Sequence, residues 1–339
     1  FLPGIHVTDN SVVTALVSGN AGNARQLAEF HGIEHIYGYD QYEEMLAADV
    51  CDAVYIALPN SMHAEYAIRA ARAGKHALVE KPLAVSVAEC SAMIAAAEAA
   101  GVYLMTAYRL HCEPGTVAVL EAIRTGAIGT PRLFSSVFSF QANAGNHRLQ
   151  AAHWGGPLQD IGVYCLNAAR HVFAAEPVEV VAMTARSEDA RFAEVADNFA
   201  ATLRFPGAAM AQFTVSFGAG EIDEYRIVGS EGDILVEPAF KFEHAMRMVL
   251  RRGTETTTRQ FPQIDHFGAQ AAYFSDCILS GRPPEPDGAE GLADVAVMRA
   301  LEESAATGRP VAIDLPPRPA HPVPAMVRIT DTTHRRLVL

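Results

Sequence analysis

The 339-residue chain contains no long apolar run, no paired cysteines, no G-x-G-x-x-G loop and no excess of positive charge. Without a run of about 18 apolar residues there is no candidate helical membrane span. The five cysteines, Cys51, Cys90, Cys112, Cys165 and Cys277, are odd in number and scattered, which argues against a disulfide framework or a cysteine-based zinc site. The thirteen histidines show no H-E-x-x-H spacing, and no G-x-S-x-G elbow is present, so neither a metal centre nor a serine hydrolase is expected. A net charge of −13 disfavours nucleic acid and anionic membranes as partners, since both demand a basic surface.

What remains is an ordinary globular composition, 50% hydrophobic and 19% charged, in a chain long enough for two domains. The first half alternates. Strand CDAVYIALP is followed by loop NSMH, helix AEYAIRAARAGK, strand HALVEK, helix SVAECSAMIAAAEAAG and strand VYLMTAYR, the order of a parallel α/β sheet. Before it, Asn10 to Val17 reads as a strand, and Asn20 caps a helix over 21–31. From Pro131 the pattern becomes strands in series, RLFSSVFSF, VEVVAMTAR, NFAATLRF, AAMAQFTVSF, EYRIVG and DILVEP, with Gly207 in a turn between two of them. Strands in series imply an antiparallel sheet. Two helices, 263–279 and 288–307, then lead into a proline-rich end. The expected organisation is a Rossmann-type domain over 1–112, an α+β domain with an open, mainly antiparallel sheet over 113–325, and a tail over 326–339.

Chemistry concentrates in two places. Glu80-Lys81-Pro82 follows the apolar strand His76 to Val79, and proline stops that strand where parallel sheets bind their ligands, beyond the carboxyl ends. The second place is GGPLQDIGVYCLNAAR, residues 155–170, in which Asp160 and Tyr164 lie four apart and share one face of a helix. Taken alone, Lys81 fits a surface lysine, Tyr164 a buried helix tyrosine, and Asp160 a first-turn carboxylate favoured by the helix dipole.

Together the two motifs resemble the Gfo/Idh/MocA oxidoreductase family, whose hallmarks are EKP after a Rossmann strand and GG-x-L-x-D-x-G-x-[HY]. ALVSGNA near the start, YRLHCEP from Tyr108 and QIDHFGAQAAYFSDCILSGRPP extend the likeness to the branch of glucose-fructose oxidoreductases and NADP-dependent xylose or dihydrodiol dehydrogenases. The resemblance implies hydride transfer between a nicotinamide and a sugar or polyol, with Tyr164 transferring the proton, Lys81 tuning it and Asp160 orienting the pair. Lys81 acting directly on the proton is the alternative. Glu80 and Lys81 would also border the cofactor. The resemblance further implies that Leu58, Pro59, Asn60 and His63, matching LPN-x-x-H, line the ribose and nicotinamide side, and that Arg148 touches cofactor or substrate. Arg109, at the end of the last parallel strand, reads either as a bridge between cofactor and substrate or as an exposed salt-bridge residue.

At the end of the second strand of such a fold, an acidic residue would bind an NAD ribose. Ser18, Gly19 and Asn20 stand there instead, with Arg25 nearby, so NADP is favoured over NAD. By the same comparison, residues 1–15 match the end of a first helix and a second strand. The first strand and its phosphate loop are therefore expected to be missing from the sequence as given. Trp154 and Gln159, unusual for the motif, are expected to crowd the loop entering the active helix. A homodimer or homotetramer follows from the resemblance, and a cytoplasmic location is the simplest reading, with periplasmic export the alternative. A non-catalytic dinucleotide- or sugar-binding regulator of the same fold is the competing function.

Overall fold

Strand His76–Glu80 lies between Ala53–Ile56 and Leu104–Ala107 in a three-stranded parallel sheet. The computed structural model describes residues 1–333 and Leu337. Successive apolar residues are what a parallel sheet covered on both faces requires. Ala77 and Val79 pack toward Ala64, Ala67 and Met93 of the two neighbouring helices, while Leu78, Met105 and Ala107 meet Ala269, Tyr273 and Phe274 of helix His266–Ser280. The first face is covered by sequence-local helices and the second by a helix from much later in the chain.

A separate parallel pair joins Ala15–Val17 to His35–Tyr37. The strand is shorter than the expected 10–17 because Asn10 is tied elsewhere: its amide donates to the Ala272 carbonyl at 2.9 Å and to Asp276 at 2.8 Å. Helix Ala21–His31 begins as expected, with the Asn20 side chain accepting from the Asn23 amide. Of the C-terminal tail, positions 334–336 and 338–339 lie outside the described residues.

The second sheet has nine strands. Its spatial order is Glu255–Gln260, Arg247–Arg252, Gly232–Val236, Ile222–Gly229, Pro131–Ser139, Met210–Ser216, Asn198–Arg204, Glu179–Ala185 and Val311–Ala312. Every pairing is antiparallel except that of Pro131–Ser139 with Met210–Ser216, which is parallel. The expected simple meander is thus interrupted, because the first strand of the series inserts between two later ones. Gly207, at φ 70°, makes the anticipated turn between Asn198–Arg204 and Met210–Ser216. The hairpin Arg247–Arg252 with Glu255–Gln260 was not anticipated. Its outer strand, ETTTRQ, is exposed at all six positions and has no alternation to read.

Helix Gly288–Thr307 ties the halves together, packing on helix Val87–Ala100, strand Leu104–Ala107 and strand Glu179–Ala185. Its buried carboxylates Glu290 and Asp294 both receive Nη1 of Arg170 at 2.7 Å, and Arg170 also holds Glu176 through Nε and Nη2 at 2.6 and 2.7 Å. The Tyr108 hydroxyl donates to Asp294. Burial pushes Asp294 above the ordinary carboxyl range, and Glu290 beside it works in the same direction although Arg170 opposes them. Removing one member of such a buried network strands the opposite charges. Arg170→Met is expected to lose about 3–5 kcal/mol of stability, measured by urea unfolding; an unchanged midpoint would contradict a structural role for the network.

Candidate active site

The carboxyl ends of the parallel strands open into a cleft of about 850 Å³ that includes Lys81, Asp160 and Tyr164. The Lys81 ammonium donates to the Asp160 carbonyl at 2.6 Å and lies 3.3 Å from its carboxylate. It also sits over the Tyr164 ring, 4.7 Å from the centroid. The EKP turn and the GG motif, some eighty residues apart, therefore meet at one ammonium group.

Asp160 is held from two sides. Arg148 Nε donates to the same carboxylate oxygen at 2.9 Å. Burial alone would raise the Asp160 pKa, but Lys81 and Arg148 outweigh it and hold the carboxyl below its ordinary value. For Lys81, burial works to lower the pKa, yet Tyr164, Asp160 and Glu80 prevail and raise it. Both groups are thus charged near neutrality. Asp160 lies in a π-helical turn, Leu158–Gly162, that passes directly into helix Val163–Phe173 carrying Tyr164. The simple four-residue α-helical relation expected from spacing is replaced by this wider turn, and both residues still border the cleft.

The glycines of the motif have a steric reason. A Cβ on Gly155 would come within 2.3 Å of the Arg148 carbonyl oxygen, so the loop carrying Arg148 folds back only over a bare glycine. Gly156 then adopts φ +136°. Trp154 and Gln159 fill the space beside the loop entering the active helix: the Trp154 indole donates to Glu302 at 2.7 Å, Gln159, which also lines the cleft, donates to the same oxygen at 2.7 Å, and Arg299 stacks on the indole ring. The two unusual residues pin the loop to helix Gly288–Thr307.

Arg109 borders the cleft but is neither exposed nor salt-bridged. It is 6% exposed, donates to His266 Nδ1 at 2.8 Å and to the Phe240 carbonyl at 2.5 Å, and lies over the rings of Tyr164 and Phe242. Leu58, Asn60 and Glu80 line the cleft. Asn60 spends its amide on the Trp154 carbonyl at 3.1 Å, and Glu80 accepts from Tyr55 at 2.5 Å.

Several residues are not where the sequence reading put them. His63 is fully buried and absent from the cleft wall; its Nδ1 and Nε2 lie 2.9 and 2.8 Å from the carbonyls of Pro82 and Leu58. It lies between two loops that border the cleft, and burial holds its pKa below the ordinary value despite those carbonyls, so the neutral ring donates to one of them and packs against the other. Pro59 adjoins the cleft-lining Leu58 and Asn60 without lining the cleft itself. Ser18, Gly19, Asn20 and Arg25, by contrast, stand where the reading put them, at and just after the end of Ala15–Val17 and apart from this cleft; Asn20 caps the following helix, and Gly19, Asn20 and Arg25 are exposed. Sequence reasoning missed Tyr55, Phe242 and Phe267, which line the cleft from three separate segments. Only the aromatic character of those segments could have signalled them.

Two family models match the chain in succession: an oxidoreductase family with an NAD-binding Rossmann fold over residues 1–108, and a GFO/IDH/MocA C-terminal domain over residues 116–235. The chain belongs to the Gfo/Idh/MocA oxidoreductases. It is 32% identical over 321 residues to a D-xylose 1-dehydrogenase [NADP(+)] of Haloarcula marismortui, spanning 92% of this chain and 89% of that protein. Among solved structures it is similar to an aldose-aldose oxidoreductase from Caulobacter crescentus complexed with glycerol, with 36% identity, a TM-score of 0.87, and coverage of 92% of this chain and 95% of that one. A 3-ketoreductase from Actinomadura kijaniata, KijD10, solved with NADP and TDP-benzene, shares 29% identity at a TM-score of 0.82, over 89% and 92% of the two chains.

The structural reading of His63 is testable apart from catalysis. His63→Ala leaves one of the Leu58 and Pro82 carbonyls without its donor and removes the ring packed between the loops, and a loss of about 1–3 kcal/mol is expected in thermal or urea unfolding. A variant that keeps wild-type stability while binding nicotinamide cofactor more weakly would instead make His63 a cofactor residue.

Proposed function

We propose that this member of the family is an NADP-dependent oxidoreductase acting on a sugar or polyol, interconverting a carbinol and a carbonyl. The observation that carries the reading is the Lys81 ammonium, bound to Asp160 and lying 4.7 Å over the Tyr164 ring in a cleft at the sheet's carboxyl edge. A regulator that only binds would have no need for a buried cation beside a phenol and a paired carboxylate.

The cleft suits a nicotinamide cofactor. It is about 850 Å³, opens at strand ends where dinucleotides bind, and includes Leu58, Asn60 and Glu80 on the parallel-sheet side. Ser18, Gly19 and Asn20 present no carboxylate to repel a 2′-phosphate, and Arg25 offers charge, which favours NADP. When bound, the nicotinamide supplies the acceptor or donor of the hydride. In the oxidative direction, Tyr164 takes the proton from the substrate hydroxyl as the hydride leaves the carbinol carbon; in the reductive direction it returns that proton. Lys81 stays charged, because its raised pKa opposes deprotonation, and stabilises the tyrosinate and developing alkoxide electrostatically. That charge state favours Tyr164 over Lys81 as the proton carrier. Asp160, fixed by Lys81 and Arg148, accepts a hydrogen bond from a neighbouring substrate hydroxyl. Arg109, held by His266 and the Phe240 carbonyl among aromatic rings, borders the same space.

Tyr164→Phe and Lys81→Ala are each expected to lower kcat by about 10²–10⁴-fold with sugar substrates. NADPH binding, followed by nicotinamide fluorescence, should persist in Tyr164→Phe. Full turnover in both variants would overturn the assignment.

We also propose that the outer face of the nine-stranded sheet joins subunits into a homodimer or homotetramer. Leu133, Val181, Met183, Met210 and Ile222 are exposed on its strands, with Leu133 and Met210 directly opposite in register. Five large apolar side chains on one face of a single sheet suit a surface that is covered in an assembly. Met183→Asp combined with Leu133→Asp is expected to yield monomers in light scattering, whereas a wild-type monomer would exclude the interface.

A further inference from the structure

Away from the cleft, three histidines converge. His111, His171 and His321 are 60 and 150 residues apart in sequence, all are buried, and one ring nitrogen of each lies within 4.8 Å of one from the other two. The spacing rules that recognise metal motifs in sequence are blind to such a set.

Hydrogen bonds preset two of the rings. His111 Nε2 donates to the Asn167 carbonyl oxygen at 2.8 Å, and His321 Nδ1 donates to the Pro319 carbonyl at 2.6 Å. For His111 that bond leaves a lone pair on Nδ1, whereas His321 Nε2 faces the Glu285 and Glu290 carboxylates at 3.6 and 3.5 Å and would release any proton it carries on binding a metal. Those other nitrogens, His111 Nδ1 and His321 Nε2, have no hydrogen-bond partner, and neither has His171 Nε2. Buried imidazole nitrogens without partners are uncommon, whereas a ring oriented through its second nitrogen is the usual arrangement of a metal ligand.

A carboxylate lies beside the set. Glu290 Oε1 lies 3.1 Å from His171 Nε2 and Oε2 lies 3.5 Å from His321 Nε2, close but outside hydrogen-bonding geometry. A mainly apolar cavity of about 30 Å³ borders His111 and His171 without reaching His321. Arg170 and Arg318 between them face five carboxylates, which leaves negative charge for a dication.

We propose that His111, His171 and His321 form a structural site for Zn²⁺ or a similar imidazole-binding dication. Three imidazoles suit the tetrahedral N preference of zinc, and Glu290, already held by Arg170 and Asn167, supplies neighbouring negative charge rather than a ligand. Burial of all three rings keeps substrate from the remaining position, so the site is structural. Tetrahedral bonds of about 2.0–2.1 Å require ring nitrogens about 3.4 Å apart. The rings must therefore draw in from their present separations of up to 4.8 Å. The ion would then join the proline-rich C-terminal segment, which carries His321, to helix Val163–Phe173, whose first turn carries Tyr164.

The full chain, stripped with a chelator, is titrated with Zn²⁺ by calorimetry and with Co²⁺ as an optical probe. One equivalent of tight Zn²⁺ and the intense visible bands of four-coordinate Co²⁺ are expected. His321→Gln and His171→Gln should each weaken binding about a hundredfold. Zn²⁺ should raise the thermal midpoint of the wild type but not of His321→Gln, whose far-UV circular dichroism verifies its fold. The proposal is overturned if no stoichiometric binding occurs, if both variants bind like the wild type, or if Co²⁺ gives only weak six-coordinate bands.

Discussion

The contact between Lys81 and Asp160 is the constraint around which the cleft is organised. It joins the end of a parallel strand to the first turn of a helix under the second sheet, and it is largely buried on both sides. A buried pair of this kind persists only when both charges are fully satisfied, because desolvation otherwise outweighs attraction. Asp160 meets that demand with Arg148 as well as Lys81, and Lys81 with the Asp160 carbonyl as well as its carboxylate. The neighbouring oddities follow from it: Gly155 because the Arg148 loop must fold back, Trp154 because that loop needs an anchor, and His63 because the turn after Lys81 must be held against the Leu58 loop.

Local chemistry was what the sequence could express. Lys81, Asp160 and Tyr164 were legible because each sits in a short motif whose backbone geometry is locally dictated, by a strand-ending proline in one case and a helix start in the other. His63 was misread because its partners are carbonyl oxygens, and no residue pattern encodes where a carbonyl points. Arg109 left two readings open, and the structure matches neither exposure nor a salt bridge; its partners, His266 and the Phe240 carbonyl, come from segments more than a hundred residues away. The same limit hid the three-histidine cluster.

In the fold, the βα alternation was readable from apolar runs, and helix Gly288–Thr307 was visible to its ends. The parallel pairing of Pro131–Ser139 was not, since strand order in a sheet depends on which edges meet after collapse. The outer strand of the edge hairpin carries no apolar signal, and it is held by the inner strand Arg247–Arg252, whose Met248 and Val249 are buried.

The two-sided covering of the parallel sheet has a consequence for synthesis. Leu78, Met105 and Ala107 are covered by Ala269, Tyr273 and Phe274, which leave the ribosome some 160 residues later. At about 5–20 residues per second, one face of the sheet waits roughly 8–30 s for its lid. The nucleotide-binding half of this chain therefore emerges first and is finished last, and during that interval its apolar face is available to chaperones and to other nascent copies.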